Sequence, residues 1–238
     1  MYSELSLDHI LGTLATLQHR IEERFPGSGL GRVAAELHRV AAETRPVLER
    51  AARPHWPLRI AVIIVALGIA VLAGALFWFL GSLSADVDGI GDMLQAIESA
   101  AQDLIFLALA LWFLFSLESR LKRRTALREL HRLRSIVHIV DMHQLTKDPE
   151  HLLSPGQRTA SSPTHRFTRF ELSRYLDYCT ELMSLASKLA ALHVQHVNDP
   201  VVLDAVNDVE TLAANLSNKI WQKIVVLDTA ANPPLPAE

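Results

Sequence analysis

The stretch LRIAVIIVALGIAVLAGALFWFLG, Leu58 to Gly81, carries no charge after Arg59 and decides the fold class. As an α-helix it would rise about 36 Å, more than the roughly 30 Å hydrocarbon thickness of a bilayer. A second apolar run, LIFLALALWFLFSL from Leu104 to Leu117, would rise only about 21 Å, so a crossing must borrow length from Ala100 and Ala101 or thin the bilayer locally. A run of that length also reads as a buried core helix or a re-entrant segment. A chain that has crossed once must nevertheless return to reach the basic residues beyond. The expectation is an all-α membrane protein with a two-helix transmembrane hairpin and a cytoplasmic helical bundle.

Charge fixes the expected orientation. Arg45, Arg50, Arg53 and Arg59 precede the first span, and Arg120, Lys122, Arg123, Arg124 and Arg128 follow the second. The connection, read as a short external loop over 82–103, holds Asp86, Asp88, Asp92, Glu98 and Asp103 with no Lys or Arg. The positive-inside rule then predicts a multi-pass protein with both termini cytoplasmic. Trp56 and Trp78 fall near the two ends of the first span, where indoles prefer the headgroup region. The span starts too far along for a cleaved signal peptide, so the spans themselves are expected to direct insertion. Arginine outnumbers lysine, compatible with a GC-rich bacterial genome and hence a bacterial inner membrane.

Hydrophobic residues make up 50% of the chain and charged residues 21%, with a net charge of -3, which suits an embedded protein with most of its mass outside lipid. The single cysteine, Cys179, can form no internal disulfide and reads as a small core residue. The basic cluster at Arg120, Lys122, Arg123 and Arg124 adjoins lipid, so anionic headgroups explain it and nucleic acid does not.

Outside the spans, apolar residues recur at alternating spacings of three and four, the mark of helices. Over 1–57 two helices are expected. The first is striped by Leu7, Ile10, Leu14, Leu17, Ile21 and Phe25 and stopped by Pro26, Gly27, Ser28 and Gly29. The second is striped by Leu30, Val33, Leu37, Val40 and Leu48, with Pro54 and Pro57 interrupting it before the hairpin at 58–117. Residues 118–147 read as a basic juxtamembrane stalk helix with Leu130, Leu133, Val137 and Val140 on one face. A linker rich in Pro, Gly and Ser covers 148–167. Over 168–228 a helical hairpin is expected, and 229–238 reads as a disordered tail. Thr168 and Glu171 have capping-box spacing ahead of the coiled-coil-like series Leu172, Leu176, Cys179, Met183, Ala186, Ala190, His193 and Val197. Asp199 and Pro200 open the last helix, lined by Val202, Val206, Val209, Ala213, Leu216, Ile220, Ile224 and Leu227.

Few residues invite chemistry. His138 and Asp141 lie one helical turn apart and could share a metal or a proton, with His143 pointing elsewhere, but two ligands do not make a zinc site. A structural role, with Asp141 or Asp148 capping a turn, is the plainer reading. His193 and His196 read as a pair on the heptad stripe, where buried polar residues set register or respond to pH. Ala66, Ala70 and Gly74 place a small residue at every fourth position of the first span, which allows close helix approach, either by the second span or by another subunit. Asp103 at the start of the short span sits in the outer headgroup zone or, facing inward in an oligomer, at a cation-attracting mouth. No phosphate-cradling glycine loop, GxSxG elbow, HExxH pair, kinase motif or deaminase motif occurs, so neither catalysis nor a cofactor is expected.

In the stretches DMHQLTKDPE (Asp141 to Glu150), FELSRYLDYC (Phe170 to Cys179) and NKIWQKI (Asn218 to Ile224), the chain resembles an uncharacterised bacterial family of two-span membrane proteins. The resemblance implies no activity and no functional residue. In architecture, helices flanking two spans, it also looks like the SLATT two-span modules proposed as pore-forming effectors. The reading from sequence is therefore an inner-membrane protein acting through helix-mediated assembly, as a homo-oligomer or by docking a cytoplasmic protein partner. The alternative is an oligomeric ion channel or pore-forming effector gated by its cytoplasmic helices.

Overall fold

A computed structural model of the chain describes residues 4–52, 56–83, 90–149, 152 and 167–229. Among these described residues are six α-helices: α1 Leu7–Arg24, α2 Gly29–Ala52, α3 Trp56–Leu83, α4 Ile90–Leu145, α5 Arg169–His196 and α6 Pro200–Thr229. They contain no strand. Arg53, Pro54, Asp86, Asp88, most of the expected linker and the expected tail lie outside them. The fold divides into two compact units, one of Met1–Ala52 with Arg123–Glu238, the other of Arg53–Lys122, and α4 contributes to both.

The larger unit is a helical bundle built on the stripes legible in the sequence. Ile10, Leu14, Leu17, Ile21 and Phe25 of the first stripe are buried, as are Leu30, Val33, Leu37, Val40 and Leu48 of the second. Every apolar position named on the α6 stripe, Val202 to Leu227, is buried too. Helix α5 exceeds its stripe: Tyr175, Tyr178, Leu182, Leu185, Leu189 and Leu192 are buried beside the heptad positions. The reason is its central place, since it packs against α1, α2 and α6. A helix touched on several sides buries most of its circumference, and a single stripe under-describes it.

The helix ends follow local chemistry. Thr168 Oγ1 accepts from the Glu171 N–H at 3.2 Å while Glu171 Oε2 accepts from the Thr168 N–H at 2.7 Å, closing the capping box on α5. These bonds hold the Glu171 carboxyl below its ordinary range. Asp199 Oδ1 accepts from Val201 N–H at 3.0 Å and from Val202 N–H at 3.3 Å, with Pro200 as the first residue of α6. The three-residue turn Val197–Asp199 folds α6 back along α5, and Ser217 Oγ reaches Met183 Sδ at 3.8 Å across the pair. Between α1 and α2, Gly27 takes φ +70°, the left-handed backbone that glycine adopts without cost, and lets the chain reverse.

Two expectations need correction. Residues 118–147 form no projecting stalk: Ala126, Leu130, Leu133, Ile136, Val137 and Val140 are buried in the bundle core. Arg132 of this segment bridges to Glu43 of α2 at 2.8 Å, and Arg134 to Asp208 of α6 at 3.8 Å. An apolar stripe that long gains more by burial than by standing in water. The stretch read as a loop over 82–103 is also helical from Ile90. Its acidic residues drew attention to charge, while Met93, Leu94, Gln95, Ala96, Ala100 and Ala101 are good helix formers with no proline among them.

Candidate functional site

In the smaller unit the usual distribution of apolar side chains is inverted. Large apolar residues on α3 stand exposed, from Ile60 and Ile64 through Leu67 and Val71 to Phe77 at 82% and Trp78 at 76%. On α4, Ile105, Phe106, Leu109, Trp112, Phe113 and Phe115 are exposed in the same way. One helix among the described residues, Ala101–Leu145, is long and apolar enough to cross a membrane, and none of its most apolar window is buried. The core helix of a water-soluble protein would be covered there. Arg59–Ala75 is apolar over a shorter length. Because the helix continues through Leu104 on one side and Leu117 on the other, the short apolar run can take helical length from its flanks.

Within this unit α3 and α4 meet near one end. Arg59 Nε donates to Glu118 Oε2 at 2.8 Å, Lys122 reaches the same carboxylate at 3.1 Å, and Val62 is buried. Arg59, Val62 and Ile63 face Leu114, Phe115 and Glu118 across a cleft. Farther along α3 the small-residue positions are open. Ala66 is half-buried, Ala70 and Gly74 are exposed, and a Cβ built on Gly74 would meet nothing within 4 Å. The second span of the same chain therefore does not fill this groove among the described residues.

The other sequence-selected residues are dispersed. Asp103 is exposed on α4. Of the basic cluster, Arg123 is engaged by Asp199, with Nη2 to Oδ2 at 2.7 Å, rather than left for headgroups. Arg120 lies over the Phe113 ring at 5.1 Å, and Arg124 is exposed. His138 is exposed, whereas Asp141 accepts from Gln144 Nε2 at 2.7 Å, so the two are not brought together on a common ligand. No group of three or more His, Cys, Asp or Glu among the described residues could hold a metal. His193 is buried at 1% exposure, but His196 is exposed with its Nδ1 3.0 Å from the Leu192 carbonyl. They do not share the stripe because a step of four from His193 reaches Val197, and the residue three ahead turns outward. Burial, aided by the charge of His196, pulls the His193 imidazole down from its ordinary value to about 4.

Sequence reasoning missed a cavity of about 600 Å³ in the bundle, at the α1–α2 turn, the end of α4 and the start of α5. Its apolar wall is an aromatic cluster. Phe25 stands edge-on to Phe167 at 5.4 Å and to Tyr175 at 5.3 Å. Lys147 is 7% exposed, with its ammonium 4.7 Å from the Phe167 ring centre and 5.5 Å from that of Tyr175. Burial holds this lysine below its ordinary range. Arg32, Ser28 and His143 line the same space. The His143 imidazole is lowered by burial first, then by the charges of Arg32 and Lys147. It sits so close to α2 that a Cβ on Gly29 would lie 2.3 Å from its Cε1, so any larger residue at that helix start would have to displace the imidazole. The one sequence signal for the cavity was the Pro26–Gly29 run, which reads as a helix stop. Lys223 Nζ donates to the carbonyls of Gln144 at 3.3 Å and Lys147 at 3.5 Å, fixing the end of α4.

The chain matches no family model, and no curated protein and no solved structure matches it.

Proposed function

We propose that this chain is an integral protein of the bacterial inner membrane, crossing it twice with both termini in the cytoplasm, and that it works by helix-mediated assembly with further copies of itself. The observation that carries the reading is the run of exposed large apolar side chains along α3 and α4, whereas most leucines described in the larger unit are buried. A surface of that kind is costly in water and favourable in lipid. Arginines before α3 and after residue 117, against acidic residues between, support the orientation. In lipid, apolar area gives no drive for helix pairing, so close backbone approach at small residues must supply it. Ala70 and Gly74 are exposed within one chain, which leaves them for a neighbour.

The test is Gly74→Leu in the full chain, followed by cross-linking in lipid vesicles at several protein-to-lipid ratios. Since nothing lies within 4 Å of a Cβ at Gly74, the added side chain starts into open space. Assembly should weaken by about 1–2 kcal/mol, roughly a tenfold shift in the ratio needed for cross-linking. Equal cross-linking of both proteins would remove this face from the interface, and a monomer at every ratio would end the proposal.

A further inference from the structure

We propose that the cavity at the α1–α2 turn of the bundle binds a phosphoryl group, held by Lys147 and Arg32 at the N-terminal end of α2. A helix start by itself is an ordinary feature of any bundle. Here the second observation is Lys147, whose side chain is more than nine-tenths buried, at 7% exposure, and lines the cavity. Its ammonium has no carboxylate and no hydrogen-bond acceptor among the described residues, only two ring faces. A buried cation without a counter-ion is expensive, and rings offset only part of that expense. Arg32, across the cavity, donates to the Gly27 carbonyl at 3.4 Å and has no carboxylate partner either. No Asp or Glu is among the described residues that line the space.

The remaining parts suit the same ligand. The α2 terminus adds the positive end of a helix dipole, with Ser28 already accepting from the Gly31 N–H at 3.1 Å and so holding the first turn. Glycine at 29 leaves room for the His143 ring in its present place against that terminus. Two basic side chains, the hydroxyls of Ser28 and Thr146 and a helix start offer more donors than a carboxylate can use, and they match the several oxygens of a phosphate. The volume of about 600 Å³ exceeds what a bare phosphate fills, and the Phe25, Phe167 and Tyr175 wall would take an apolar substituent. Inorganic phosphate, a soluble phosphate monoester and a lipid phosphomonoester share this chemistry.

The experiment uses the full chain in neutral detergent and chloride buffer at constant ionic strength. It is titrated with sodium phosphate, with short-chain phosphatidic acid and with short-chain phosphatidylcholine, and read by calorimetry. Expected is saturable binding of sodium phosphate or of phosphatidic acid. Affinity should fall at least tenfold in Arg32→Gln, an exposed position safe for folding, and be lost in Lys147→Met, which keeps the buried stem without the charge. Tighter binding of phosphatidic acid than of phosphate would assign the group to a lipid headgroup, and the reverse order to a soluble ester. No saturable binding of either, or binding that both variants retain, would overturn the proposal.

Discussion

His193 is the residue at which burial and ionisation conflict most plainly. It is 1% exposed, and its Nε2 has no hydrogen-bond partner among the described residues. Its pKa is about 4 in the fold against an ordinary 6.5. Above about 6.5 the ring is neutral folded or unfolded and contributes no pH dependence. Between 6.5 and about 4 the unfolded chain takes up a proton that the folded chain refuses, so stability falls with pH by at most about 3 kcal/mol. His193→Leu should remove that component. Comparing urea unfolding of the two proteins at pH 7 and pH 4.5 checks it, and an unchanged difference between them would show that His193 gains its proton freely. The heptad position of His193 hinted at this group, whereas the exposure of its companion His196 depended on a step of three rather than four. Lys147 and Arg32 offered no such hint. They lie far apart in the chain, on either side of the apolar hairpin, and no local pattern announces a cavity that only tertiary packing encloses.

Among the elements, α6 depends on a single carboxylate that does two jobs. Asp199 caps its first turn and also receives Arg123 at 2.7 Å, with its side chain only 8% exposed. The two contributions separate by substitution. Asp199→Asn retains an acceptor for the Val201 and Val202 N–H groups and loses the charge pair, while Asp199→Ala loses both. Chemical denaturation should find the alanine variant weaker than the asparagine variant by about 1 kcal/mol, the ordinary worth of an N-cap. Equal losses would mean that the ion pair, not the cap, is what α6 requires. At this scale the sequence was most legible: the three-four spacing marked the buried faces of α1, α2 and α6, and the Thr168 and Asp199 signals marked two helix starts. It was least legible where an element has more than one neighbour or more than one character. The second face of α5, the helical start at Ile90 and the burial of Leu130 to Val140 all depend on what lies opposite, which spacing along one strand of text does not contain.

At the level of the molecule, two kinds of surface divide the chain. The bundle buries most of its described leucines, whereas α3 and α4 through Lys122 expose large apolar side chains. In bacterial cells the full chain should sediment with membranes and remain there after alkaline carbonate washing, which strips peripheral proteins. Recovery in the wash would mean that protein, not lipid, covers Phe77, Trp78 and Trp112. The membrane reading was available from the apolar runs alone, but the openness of Ala70 and Gly74 was not, because residue spacing is the same whether a groove is filled from within or left for a neighbour. Cys179 is 0% exposed, and burial pushes its thiol well above the ordinary range, so the sulfur is shielded and protonated. The native chain should therefore be silent toward maleimide and other thiol-seeking reagents, and a cysteine introduced on its exterior would report from that position alone.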